Sequence, residues 1–105
     1  VFRRAGELPE ALAASRGALA VLRHARVPAR RRIVVCFTHH KVLRAMGEGE
    51  EGLRYLARAI RLVRARAGRI TVPRLRETYL REERTARRVL RAWRESRKAL
   101  AHGTG

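Results

Sequence analysis

The sequence lacks several residue types, and each absence excludes a class of protein. Aspartate, asparagine and glutamine do not occur among the 105 residues, and cysteine occurs once. One cysteine cannot form an internal disulfide, so the fold must be stable without one. No apolar run is long enough to span a bilayer. With neither aspartate nor asparagine to orient a histidine, a nucleophilic catalytic triad is not expected.

Acidic residues are scarce as well. The chain has 26 Lys+Arg against 9 Asp+Glu, a formal net charge of +17 and a pI near 11.9. A free globular domain with this charge repels itself, which indicates a bound polyanion or a place in a larger assembly. Lys41 and Lys98 are the only lysines, so nearly all of the basic residues are arginine. The guanidinium group of arginine forms bidentate hydrogen bonds with phosphate and carboxylate oxygens. A GC-rich coding sequence would also favour arginine, but it does not explain the scarcity of acids.

The spacing of apolar residues predicts an all-α fold. Apolar side chains recur at intervals of three and four, and almost no segment alternates as a strand does. The length suits one compact domain, so we expect residues 1–105 to form a single helical domain, a small bundle of three to four helices. The first helix is predicted to end near Arg26, and the second to run from about Ala29 to Met46. Ile33-Val34-Val35 within the second is also compatible with a short strand.

The turn GEGEEG at residues 47–52 leads into a third helix. Its glutamates fall in the first helical turn, where the helix dipole favours negative charge. Leu56, Ile60 and Val63 form the apolar side of this helix, and Gly68 is a suitable C-terminal cap.

A long basic C-terminal helix is predicted over residues 73–102. Pro73 suits its first turn, and apolar residues recur every seven positions from Val72 onward. At a rise of about 1.5 Å per residue the helix would reach roughly 45 Å, which exceeds the length of a bundle of the preceding helices. We therefore expect it to extend partly from the domain. The side chains expected to pack on a partner are Tyr79, Val89, Trp93 and Leu100.

Basic side chains occupy the polar side of this helix and one side of the third helix. Arg84 with Arg88, and Arg94 with Lys98, place like charges one turn apart, which costs about 0.2–0.5 kcal/mol per pair. A phosphate backbone or an acidic surface would relieve this repulsion. The alternative is a solvated face, because arginine is a good helix former. The predicted nucleic-acid-binding residues are Arg54, Arg58, Arg61, Arg81, Arg84, Arg87, Arg88, Arg91, Arg94, Arg97 and Lys98.

The aromatic residues are scattered along the chain and mostly fall on apolar faces. Folds that stack bases on clustered aromatic side chains are therefore not expected, and contacts should be mainly to phosphates and to the shape of the nucleic acid.

The segment Cys36-x-x-His39-His40 is the one motif with potential chemistry. On a helix, this spacing lets two side chains reach one metal ion, but a structural zinc needs four ligands. The other histidines, His24 and His102, are not spaced to complete such a site. We expect His39 to be a hydrogen-bonded core residue and His40 to add to the basic surface beside Lys41.

No other catalytic motif is present. GEGEEG is acidic and would repel phosphate, so it does not match a phosphate-binding loop. We expect neither enzymatic activity nor a bound cofactor or metal.

In size, arginine content and helical pattern the chain resembles small basic mitochondrial proteins of the LYR type. Their signature tripeptide is absent here: Arg54-Tyr55-Leu56 has the reverse order, and Tyr79-Leu80-Arg81 lies in the last predicted helix. The resemblance implies an accessory or assembly subunit of a respiratory complex that binds acidic protein or lipid surfaces.

The charge pattern leads to a different expectation. It predicts a structural subunit of a ribonucleoprotein, most naturally an organellar ribosome, in which arginine-rich helices neutralise rRNA phosphates beside neighbouring subunits. The basic composition and the absence of an initiator Met are compatible with a mitochondrial matrix protein; the alternative location is the cytoplasm.

Overall fold

The computed structural model describes residues 7–24 and 26–103; for residues 100–103 it describes the backbone alone. Every regular element in these ranges is a helix, which confirms the all-α prediction and places Ile33-Val34-Val35 in a helix rather than a strand. There are five helices where three to four were predicted. They are α1 (Glu7–His24), α2 (Ala29–Ala45), α3 (Gly49–Gly68), α4 (Pro73–Glu82) and α5 (Arg84–Gly103).

Helix α3 is the centre of the fold. It packs against both α2 and α5, while α1 packs on α2, and α4 contacts α5 and α3. The molecule is 22 Å thick, about two helix diameters, so the helices form two layers. The core is made by one apolar side of each of three helices, and its buried members are Ile33, Cys36, Phe37, Leu56, Ala59, Ile60, Val63, Ala86 and Val89.

The turn between α2 and α3 depends on Gly47, the residue with a positive φ of 82°. Its N–H donates to the Arg44 carbonyl at 3.1 Å, and the Glu48 N–H donates to the Leu43 carbonyl at 2.8 Å. This pair of bonds is a Schellman motif, which satisfies the last carbonyls of α2 and needs a left-handed residue after the helix. The chain therefore reverses within a few residues, and α3 folds back on α2.

Replacing Gly47 and Gly17 by alanine should change stability in opposite directions. Gly47→Ala is expected to destabilise the fold by about 1 kcal/mol, because a Cβ disfavours the left-handed conformation. Gly17 lies within α1 with open space around it, so Gly17→Ala should stabilise by about 0.5–1 kcal/mol through helix propensity. Urea unfolding followed by circular dichroism measures both. The same sign for both variants would contradict the Schellman turn.

The helix predicted over residues 73–102 is two helices, which corrects the prediction of one long element. Glu83 is extended, with φ −67° and ψ 123°. Its carboxylate Oε2 accepts a hydrogen bond from the Ala86 N–H at 2.5 Å, and its carbonyl accepts one from the Arg87 N–H at 2.9 Å. Glu83 thus caps α5 by satisfying an N–H that the helix leaves free. The break lets α4 and α5 both pack against α3.

The seven-residue pattern holds only in part. Its members Tyr79, Ala86 and Trp93 lie on both sides of the break at Glu83 and pack in or against the core. Val72, which begins the pattern, and Leu75, three residues after it, are 49% and 57% exposed. Gly68 was predicted to be the C-terminal cap of α3. In the structure Gly68 is the last residue of the helix, and Arg69 is the cap.

Candidate nucleic-acid interface

Helix α5 has one side in the core and one side in solvent. Ala86 and Val89 are completely buried, and half-buried Trp93 packs against the same core. Because residues three and four apart share a helix side, the apolar contact fixes the direction of the polar residues. All the predicted basic residues of α5 are exposed: Arg84, Arg87, Arg88, Arg91, Arg94, Arg97 and Lys98. We call these seven residues the α5 basic face. Arg81, at the end of α4, is exposed too.

The α5 basic face has little internal charge compensation. Within the described part of the chain one ion pair is present, between Arg91 Nε and Glu95 Oε1 at 3.7 Å. Both side chains are largely in solvent, and exposed pairs of this kind contribute about 0–1 kcal/mol. The face therefore retains most of its positive charge and its repulsion between neighbouring turns.

Lys41 was placed on the basic surface from the sequence, and the structure adds that its helix, α2, contacts α5. Its Nζ lies 5.0 Å from the centre of the Phe37 ring, a cation–π distance. Burial lowers the pKa of Lys41, and Arg88 on α5 lowers it further. Helices α2 and α5 are in contact, so the positive charge of Arg88 acts on Lys41 across that contact. The sequence alone does not indicate this contact between α2 and α5.

The predicted basic row of α3, Arg54, Arg58 and Arg61, is also exposed. Arg58 places its guanidinium 5.4 Å from the Tyr55 ring centre and lines a cleft with residues of α1 and α2. Residues Arg91, Arg94, Arg97 and Lys98 of the α5 basic face line a separate shallow depression. The structure thus places Arg58 and the α5 basic face at different concavities.

The four residues predicted to pack on a partner are located differently. Val89 is completely buried in the core of the chain itself, which corrects its assignment to a partner contact. Tyr79 and Trp93 are half-buried against that core. The Trp93 indole Nε1 is buried and has no hydrogen-bond acceptor among the described residues. The Leu100 side chain lies outside the described part.

The Cys36-x-x-His39-His40 segment is buried at the junction of α1, α2 and α3. His39 is 2% exposed, as predicted for a core histidine. The Ser15 hydroxyl donates to the Leu12 carbonyl at 3.1 Å, so His39 Nδ1–H donates to Ser15 Oγ, at 2.7 Å. The His39 ring also meets Tyr55 edge to face, with centroids 4.4 Å apart.

The prediction that His40 lies on the basic surface is wrong. His40 is 3% exposed, and its Nδ1–H donates to the Gly52 carbonyl at 2.9 Å. The tight turn at Gly47 brings the start of α3 over this side of α2. A Cβ on Gly52 would lie 3.3 Å from the His40 carbonyl oxygen, so glycine permits the close approach. Single-helix periodicity does not contain this information.

Burial lowers the pKa of both histidines. For His39, the negative charge of Glu51 raises the pKa against the effect of burial, and the positive charge of Arg16 lowers it further. For His40, the hydrogen bond to the Gly52 carbonyl raises the pKa against the effect of burial, whereas the charges of Arg44 and Lys41 lower it further. Both rings are therefore neutral core residues that hold helices together. Cys36 is buried beside them, and burial raises the pKa of its thiol, which disfavours the reactive thiolate.

We expect the fold to lose stability as the pH falls from about 7.5 to 5.5. The unfolded chain has ordinary histidine pKa values near 6.5, whereas the folded values are lower. The unfolded state then binds more protons in this window, so acid favours unfolding. Urea unfolding at several pH values measures the slope. His39→Gln with His40→Gln should flatten it, and the exposed control His24→Gln should not. Stability that stays level or rises towards pH 5.5 would contradict the neutral buried pair.

Within the described ranges no group of three or more His, Cys, Asp or Glu side chains is arranged to hold a metal ion. None of the described helices is both long enough and apolar enough to cross a membrane. Comparisons with protein-family models, curated protein sequences and solved structures found no match to this chain.

Proposed function

We propose that the protein is a structural, RNA-contacting subunit of a large ribonucleoprotein, with an organellar ribosome as the most natural host. The observation that carries this proposal is the α5 basic face, seven exposed cations of which one forms an ion pair among the described residues. These cations recur over residues 84–98, a length of about 21 Å on one side of a helix. Such a row neutralises successive phosphates of an RNA strand or helix.

Two further observations support RNA phosphate as the ligand. The net charge of +17 favours a polyanion over an isolated acidic site. Half-buried Tyr79 and Trp93 are committed to the core, so the face offers guanidinium groups without a platform of aromatic rings. This combination suits contacts to the backbone and shape of RNA rather than to its bases.

The role proposed for the protein in the particle follows from the same surface. The α5 basic face would hold RNA segments together by neutralising their phosphates, while the core keeps α5 in a fixed position on α3. Neighbouring subunits and rRNA are the proposed partners, and the mitochondrial matrix is the proposed location. An accessory or assembly subunit of a respiratory complex, which binds acidic protein or lipid surfaces, is the alternative that the experiments must separate.

The salt dependence of RNA binding tests the proposal directly. Contacts to about five to seven phosphates should give a slope of roughly −4 to −6 in a plot of log binding constant against log salt concentration. Fluorescence anisotropy of a labelled structured RNA measures the slope, and saturation should occur at a defined stoichiometry. Weak binding that does not saturate would contradict the proposal and favour the respiratory-complex alternative.

A further inference from the structure

A cleft of about 390 Å³ opens between α1, α2 and α3, away from the α5 basic face. Three arginines line it, one from each helix: Arg23, Arg32 and Arg58. No acidic side chain is among the residues that line it, and none of the three arginines forms an ion pair within the described ranges. The tertiary fold therefore places at one cleft three arginines that are far apart in the sequence and form no ion pair within the described ranges.

Two of these guanidinium groups are held in place by the protein. Arg32 Nε donates to the Val27 carbonyl at 3.1 Å, which leaves its two terminal nitrogens for another acceptor. Arg58 lies against the Tyr55 ring, at 5.4 Å from its centre. Pre-positioned guanidinium groups lose less freedom on binding an anion, so the cleft is better suited to a compact anion than a surface row is.

The rest of the cleft is apolar. Leu19 and Leu22 of α1, Leu62 of α3 and the Tyr55 ring line it, and the buried Cys36 thiol contributes to the same wall. Arg58 and Arg32 line the same cleft as this thiol, and their charges lower its pKa against the larger effect of burial. Small-molecule pockets commonly combine an apolar lining with a few convergent polar groups, at volumes of about 300–1,000 Å³.

We propose that this cleft binds a phosphomonoester of about mononucleotide size. Arg23, Arg32 and Arg58 hold the phosphate, and the body of the molecule packs against Tyr55 and the leucines. A phosphate presents several oxygens to paired guanidinium donors, which suits a cleft lined by three arginines better than a single carboxylate does. The proposal does not depend on RNA binding by the α5 basic face.

Calorimetric titration of the whole chain with AMP, adenosine and inorganic phosphate tests the proposal at fixed ionic strength. We expect one AMP per chain, with adenosine and inorganic phosphate each bound at least about tenfold more weakly. Adenosine lacks the charge that the arginines bind, and inorganic phosphate lacks the body that the apolar wall covers. Adenosine or phosphate binding as tightly as AMP, or no saturable AMP binding, would overturn the assignment.

Matched arginine variants separate the cleft from the general positive charge. Arg23→Gln and Arg58→Gln should each weaken AMP binding by about tenfold. Arg69→Gln removes the same charge from an exposed position outside the cleft and outside α5, so AMP affinity should change less than about twofold. Equal losses in all three variants would show diffuse electrostatic attraction and overturn a built site.

Two sources of the phosphomonoester are distinguished by competition against AMP. A short RNA with a 5′-phosphate that displaces AMP, while its 5′-hydroxyl counterpart does not, supports the end of an RNA strand as the ligand. AMP binding that neither RNA displaces supports a free nucleotide. If AMP fails to bind while RNA binding keeps its salt dependence, the cleft proposal is overturned and the proposed function is unaffected.

Discussion

Replacing Arg84, Arg88 and Arg91 by glutamate is expected to weaken RNA binding by about 100-fold or more at physiological salt. Each lost phosphate contact removes the free energy of counterion release, and three losses should reduce the salt slope by about two to three units. The three side chains are exposed, on the side of α5 opposite the buried Ala86 and Val89. Fluorescence anisotropy with the same labelled RNA measures both quantities.

The fold should tolerate this triple change. Glutamate at position 84 lies in the first turn of α5, where the dipole favours negative charge. The new glutamates also attract Arg87 and Arg94 one turn away, which offsets the loss of the exposed Arg91–Glu95 pair. The melting temperature is therefore expected to stay constant or rise. Incorporation into the native particle should fall in parallel with RNA affinity.

A second triple variant controls for net charge. Arg26→Glu, Arg31→Glu and Arg74→Glu change the charge by the same amount at exposed positions outside α5. RNA affinity should fall much less in this control. An equal loss in both triple variants would show that total charge, rather than the α5 basic face, determines binding. Unchanged incorporation of the α5 variant, with unchanged melting, would contradict the proposed function.

Leu56→Ala is expected to reduce the free energy of unfolding by about 2–5 kcal/mol, the largest stability effect we predict. Leu56 is completely buried in α3, at the centre of the core. Truncating it leaves a cavity that close-packed neighbours fill only in part. Because small domains have only about 5–15 kcal/mol of stability, the variant should melt at least about 10 °C lower.

Leu75→Ala is the matched control, since it removes the same atoms from a side chain that is 57% exposed. Its effect should be within about 0.5 kcal/mol, as for ordinary surface substitutions. Urea unfolding at 25 °C measures both variants. Comparable losses would show that Leu75 is buried and would contradict the position of α4 in the structure.

The fold class was predictable because it depends on local periodicity. Leu56, Ile60 and Val63 are spaced three and four residues apart, which predicts one buried side of a helix. All three are buried in the structure. The break between α4 and α5 was not predictable in this way. Glutamate is not among the preferred N-cap residues, yet the Glu83 carboxylate accepts a hydrogen bond from the Ala86 N–H at the start of α5.

The same distinction between local periodicity and helix packing applies to the candidate interface. Exposure of the α5 basic face follows from burial of Ala86 and Val89 on the other side of one helix, so the sequence could predict it. The effect of Arg88 on Lys41 and the cleft at Arg58 require two or more helices to pack together. His40 is the clearest failure, because its burial depends on Gly47 and Gly52 in a neighbouring segment.

Sedimentation of the tagged protein in a native extract tests the central claim most directly. The extract is fractionated untreated, after RNase treatment and after mild detergent. We expect co-migration with a large particle that RNase disrupts and mild detergent leaves intact, which would make the α5 basic face a contact with RNA. A particle that is indifferent to RNase but altered by detergent would contradict the account and place the protein in a membrane protein complex.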